Sequence, residues 1–163
     1  MATSDELIRL LAMKRVAELR DAWGDSIPES ELSKGVVVAG ETLHLKGPQG
    51  IFKPRQLSDG PLTVLSTLAS RYEDELLDGA NALNYDYAPR SHEHENDGLK
   101  RLIATQTPVI LLKQVKTKPR PEYMVVAPMY VRRDVLTVYR GRCSVASCEH
   151  GLYCRARTSY RTR

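Results

Sequence analysis

The stretch that most constrains the fold is PVILLKQV, residues 108–115. Val109, Ile110, Leu111 and Leu112 are apolar without a break, so both faces of an extended segment here avoid water. Such a run predicts a central strand buried on both sides. Just before it, ENDGLKRLIATQT has the spacing of a short helix despite Gly98. After it, EYMVVAPMYVRRD and VLTVYRGRC predict two strands closing as a hairpin around Arg133–Asp134.

Helical signals open the chain. Ser4, then Asp5 and Glu6, has the pattern of an N-cap followed by acids at the positive end of the helix dipole. Leu7, Ile8, Leu11, Val16, Leu19 and Trp23 recur at helical steps and predict one apolar stripe, ended by Gly24. IPESELSKG predicts another turn or two of helix, opened by Pro28 and stopped by Gly35. The period then changes. VVVAGETLHL predicts two short strands around Ala39–Gly40, and KGPQGIFKPRQLSDGP a loop or bulged strand. LTVLSTLA (62–69) and ALNYDYA predict strands, the latter with Leu83, Tyr85 and Tyr87 on one face. The sum is α+β: N-terminal helices, about seven strands and one helix embedded among them. Strands do not alternate regularly with helices, which excludes a doubly wound sheet and points to a curved sheet or partly open barrel.

At 163 residues the chain fits one domain, read as residues 1–142 with the N-terminal helices (1–34), followed by a basic Cys/Arg tail, 143–163. No apolar run is long enough for a membrane span, and the charged N-terminus is unlike a secretory signal, so the expected location is cytoplasmic, near the nucleoid. The net charge is +4, unevenly spread: Lys113, Lys116, Lys118 and Arg120 form one basic stretch, and Arg155, Arg157, Arg161 and Arg163 another. Such stripes attract phosphate backbones, or simply solvate a surface. Cys143, Cys148, His150 and Cys154 fall in twelve residues, but C-x4-C-x-H-x3-C matches no common zinc arrangement, so reduced thiols are expected. His92 and His94 sit among Glu93 and Glu95 in what is expected to be a polar loop, without a metal. No cofactor is expected.

Against this basic background RYEDELLDGANALNYDYAPRS (71–91) is acidic and aromatic. With the residues before it, it resembles the SRA (SET and RING associated) domain of the PUA-like superfamily. The matching elements are Gly50-Ile51-Phe52, Asp59-Gly60, the apolar Leu62 to Leu68, Tyr72-Glu73-Asp74-Glu75, then Tyr85-Asp86-Tyr87, APRSHEHEN and Asp97-Gly98-Leu99. They cover roughly residues 45 to 140, and the whole chain is similar to the region preceding HNH nuclease domains in actinobacterial restriction-type proteins. The chain departs from the family pattern at Phe52, where the family has His, and at ASR before Tyr72, where it has small residues and glycines.

The resemblance implies recognition of 5-methylcytosine, or another C5-modified cytosine, in double-stranded DNA by flipping the base into a pocket. A flipped base needs flat aromatic faces and an acceptor for its N4 amino group. On that reading Tyr72 with Tyr85 or Tyr87 supplies the faces, and Asp74, or else Glu75, the acceptor. Lys53, Arg55, Arg71 and Arg90 would hold the DNA backbone. By pattern alone, Tyr85 and Tyr87 on one strand face are as well explained by a core. The chain shows no HNH site, P-loop, G-x-S-x-G or HExxH motif, which favours a stand-alone reader with a separate nuclease partner over an enzyme. The alternatives are an RNA-binding PUA-like module and a methylation-dependent nuclease.

Overall fold

The apolar run becomes β7 (Val109–Lys116), the middle of a seven-stranded mixed sheet. The computed structural model describes residues 4–48, 50–68, 82–84, 93–131 and 137–140. In chain order these form α1 (Ser4–Trp23), β1 (Ile27–Pro28), α2 (Glu29–Ser33), β2 (Val36–Val38), β3 (Glu41–Leu43), β4 (Ile51–Phe52), β5 (Thr63–Ser66), β6 (Ala82–Asn84), α3 (Glu93–Thr105), β7, β8 (Glu122–Val131) and β9 (Thr137–Arg140). The strand order is β4-β5-β7-β8-β9-β6, with β1 added to β8, and β2 and β3 form a separate hairpin. Among the described strands only β5 and β7 run parallel. Among the described residues no pairing joins β4 to β6, so the α+β expectation holds and the sheet is open rather than closed into a barrel.

β7 is covered on both faces, as its composition requires. Ile110 and Leu112 pack with Ile8, Ala12, Val16 and Leu19 of α1 and with Leu32, Leu43 and Leu45. Val109 and Leu111 pack on the other face with Leu99 and Leu102 of α3, Val64 and Met129. Burying each such side chain contributes about 1.5–3 kcal/mol, so the four-residue run is a large share of what holds the layers together. β8 changes faces along its length. Tyr123 and Val125 belong to the α1 side, whereas Met129 and Val131, of the same parity, belong to the α3 side. Val109 and Leu111 of β7 oppose Met129 and Val126, two steps on one strand against three on the other. One extra residue therefore enters β8 beside Pro128, which has no N–H to give the ladder.

Several elements differ from expectation. The buried face of α1 is Ile8, Arg9, Ala12, Val16 and Leu19. Ile8, Val16 and Leu19 of the predicted stripe are buried there, but Leu7 lies off that face at 52% exposure, and Trp23, in line with it at the last turn, stays half exposed. β5 is shorter than the predicted 62–69, and Leu68 is exposed. α3 begins at Glu93, two residues before the predicted start at Glu95, which takes Glu93 and His94 out of the expected loop and into a helix. The described residues hold nine strands against the expected seven or so, because β1 and β4, two residues each, are too short to carry a pattern. Gly98 is tolerated in α3 for a packing reason: a Cβ there would lie 2.9 Å from Cδ of Pro61, so its absence lets the helix approach the 57–61 loop.

That loop is clamped from α1. Arg9 is 3% exposed. Its Nε and Nη2 donate to the two carboxylate oxygens of Asp59 at 3.1 and 2.7 Å. Nη1 donates to the carbonyls of Pro61 and Pro108 at 3.0 and 3.1 Å, and Nη2 also to that of Gly60 at 3.2 Å. All five guanidinium N–H groups thus have an acceptor, which lets the charge stay buried. One turn earlier, Asp5 accepts from the Ser58 N–H, the Ser58 hydroxyl and the Asp59 N–H at 2.9, 2.6 and 2.8 Å.

Removing one partner of such a buried, hydrogen-bonded pair leaves the rest unsatisfied, so Arg9→Ala is expected to cost about 3 kcal/mol or more in urea unfolding. A cost within about 0.5 kcal/mol, the range of an ordinary surface substitution, would show that the clamp does not hold the fold. Asp5 gives a pH-dependent counterpart. Burial pushes its carboxyl up, but the hydrogen bonds from Ser58 and Asp59 together outweigh this and hold it below the ordinary aspartate value. A depressed carboxylate stabilises the fold above its unfolded pKa, and that contribution is lost as pH falls through the folded value. Asp5→Asn is therefore expected to be less stable than wild type at neutral pH, with the gap closing in acid melts. A gap that does not change with pH would contradict it.

Candidate nucleic-acid interface

Strand directions give the sheet two distinct ends. At the end where β5 and β7 begin, α1 supplies the Arg9 clamp, and Ile110 N–H donates to Leu62 O at 2.9 Å. Phe52 is aligned with Thr63, so the loop from residue 53 leaves β4 at this same end. Lys53 and Arg55 are exposed in that loop. Lys53 Nζ donates to Ser58 O at 3.2 Å, and Arg55, 85% exposed, pairs loosely with Glu41 at 3.7 Å. An ion pair this exposed contributes little and leaves the guanidinium available to another anion.

At the opposite end β5 finishes beside β7, with Ser66 aligned to Lys113. Leu68 N–H then donates to the side-chain carbonyl of Gln114 at 3.4 Å, and the described chain stops there until Ala82. β7 continues past this point into the connection to β8, which carries Lys116, Lys118 and Arg120. Lys116 donates to Glu122 at 2.7 Å, its strand partner, and Ser26 also hydrogen-bonds Glu122. These bonds, that from Lys116 first, hold the Glu122 carboxyl below its ordinary value. Lys118 and Arg120 are exposed and have no ion-pair partner among the described residues. Lys46, nearby in the fold, is committed: it donates to Glu29 at 2.6 Å and lies 5.4 Å from the Tyr123 ring centroid. Burial pushes its ammonium down, but the bond to Glu29 and the contact with Tyr123 outweigh that and hold its pKa above the ordinary lysine value.

The expected site residues divide accordingly. Tyr72, Asp74, Glu75, Tyr85, Tyr87, Arg71 and Arg90 lie outside the described residues, as do Cys143, Cys148, His150 and Cys154. Lys53 and Arg55 are described, and they stand at the end of the sheet remote from Leu68. From the level of Leu62 to that of residue 67 is five strand steps, roughly 16 Å. The expected grouping of Lys53 and Arg55 with the stretch that begins at Arg71 thus gains no support from the frame around them. Sequence reasoning missed Gln114, which fixes where the chain leaves β5, because a glutamine in a strand has no distinctive pattern. It also missed Arg9, which the helical line through Asp5, Ala12 and Val16 brings onto the buried face.

Among the described residues no group of His, Cys, Asp and Glu is arranged to hold a metal ion, and no helix is long and apolar enough to cross a membrane. Comparison with family models, with curated proteins and with solved structures gives no match for this chain.

Proposed function

We propose that this chain is a reader of DNA containing 5-methylcytosine or another C5-modified cytosine, binding by base flipping and serving restriction or methylation sensing. The observation that carries this reading is the Tyr72-Glu73-Asp74-Glu75 stretch followed by Tyr85-Asp86-Tyr87 in a chain that is otherwise basic. Two aromatic faces and a carboxylate are what an extruded cytosine requires: stacking on both sides and an acceptor for the N4 amino hydrogens. In this scheme Tyr72 and Tyr85 or Tyr87 stack on the base, and Asp74, or in its place Glu75, accepts from its amino edge. A carboxylate disfavours phosphate but suits an amino donor, so the acids face the base while cations take the backbone.

The frame is consistent with such a use. In sequence, the first stretch comes after β5 and the second begins directly after Asn84 of β6, both strands of the packed sheet. The chain would act without a cofactor, and cleavage, where it follows, would belong to a separate nuclease partner.

The test is a binding series on identical duplexes carrying cytosine, 5-methylcytosine or 5-hydroxymethylcytosine, with single-stranded RNA as competitor. Modified duplex is expected to bind more tightly than plain duplex and to resist the RNA. Tyr72→Ala is expected to lose about 1–3 kcal/mol of binding, the scale of one base–aromatic stack, with Asp74→Ala also weakened. Equal affinity for all duplexes at physiological salt would refute the reading, and preference for the RNA would favour an RNA-binding module instead.

A further inference from the structure

We infer that the β7–β8 connection, with Lys118 and Arg120 at its tip, is the element that grips the DNA phosphate backbone, in place of the loop carrying Lys53 and Arg55. This rests on the DNA-binding reading above and names the surface that reading left open. Three observations lead to it.

The first is charge. Residues 113–120, KQVKTKPR, contain four cations and no acid. Among the described residues, the acids beside this connection are already engaged: Glu122 by Lys116 and Ser26, and Glu29 by Lys46. Among the described residues no acid neutralises Lys118 or Arg120, the condition for releasing counterions when a phosphate is bound. Lys53, by contrast, donates to a carbonyl of its own loop, and Arg55, though its guanidinium stays available, has the Glu41 carboxylate 3.7 Å away.

The second is shape. Pro119 and Pro121 bracket Arg120. Each proline fixes its own φ, so the backbone that carries the two cations has few conformations to lose on binding. The connection is also anchored at its base, where Lys116 and Glu122 are strand partners and Pro121 O accepts from Glu29 N–H at 3.0 Å.

The third is position. The tip lies beyond the end of β7 that receives Leu68 through Gln114. That is the end of the sheet from which the chain proceeds toward Tyr72. The loop with Lys53 leaves at the other end, roughly 16 Å away along the strands. This exceeds the ~8 Å screening length at physiological salt, so the two basic groups act on DNA independently.

The experiment measures the affinity of the full chain for plain and 5-methylcytosine duplexes between about 50 and 200 mM salt, for wild type, Lys118→Ala/Arg120→Ala and Lys53→Ala/Arg55→Ala. Each lost phosphate contact lowers the slope of log affinity against log salt by about one. The hairpin double variant is expected to lose about two from the slope, so wild-type affinity falls roughly tenfold more than the variant's across that salt range. Its preference for the modified duplex should be unchanged, and Lys118→Arg/Arg120→Lys should keep the wild-type slope. An unchanged slope in the hairpin variant, or the loss appearing in Lys53→Ala/Arg55→Ala instead, overturns the inference while leaving base recognition intact. A wild-type chain that binds both duplexes equally, with the hairpin slope effect present, overturns base flipping and leaves the hairpin assignment standing. No binding to either duplex overturns both.

Discussion

The rest of the structure depends on one buried cation. Arg9 joins α1 to the loop before β5 through Asp59, Gly60 and Pro61, and to the residue before β7 through Pro108. These are the starting ends of the two parallel strands, β5 and β7. Parallel strands cannot be joined by a tight turn, so their relative register must be fixed by something other than a hairpin. Here a single planar group with five donors holds both strand entries to one helix. The loop it grips is pressed from the other side by α3, where Gly98 meets Pro61 and a Cβ on Gly60 would lie 2.9 Å from Leu102. The loop at 57–61 is thus a junction of both helical layers with the sheet.

With the strand entries held there, the opposite end of the parallel pair is left to carry connections. Gln114 receives Leu68, β7 runs on to the basic hairpin, and β1 and the start of α2 brace β8 alongside. The fold so divides labour by position, with the buried ion pair and close packing at one end and, at the other, Lys118 and Arg120, exposed and without an ion-pair partner among the described residues. The proposed function uses the second end, and it requires the first to be rigid, because a flipped base and the phosphates flanking it must be met at fixed separations.

The two-layer cover was legible in the sequence because it follows from composition alone. An unbroken apolar run such as Val109–Leu112 has no polar face to show to water, so both of its faces must be covered. The same holds for the β2–β3 hairpin, where Ala39 and Gly40 both have positive φ, and for the end of α2, where Gly35 (φ 62) lies so close to Leu43 O that no Cβ fits. The candidate base-binding residues were legible in a different sense. Their types and spacing stood out in the sequence, but what they surround is not given by pattern.

What the sequence by itself determined is local: periodicity, turn chemistry, and the clusters of charge and aromatic residues, each set by neighbours within a few positions. What only the tertiary structure decided is everything that pairs distant residues. Arg9 and Asp59 are fifty positions apart, and nothing about a helical arginine says whether it will meet water or a carboxylate. The face switch of β8 near Pro128 depends on which residues of β7 lie opposite. Lys53 and Lys118 are equivalent as exposed lysines in proline-containing loops, and only strand direction places them at opposite ends of the sheet. Short-range preferences fix which element forms, whereas burial and register, which are properties of the assembled layers, fix which side chains share a surface.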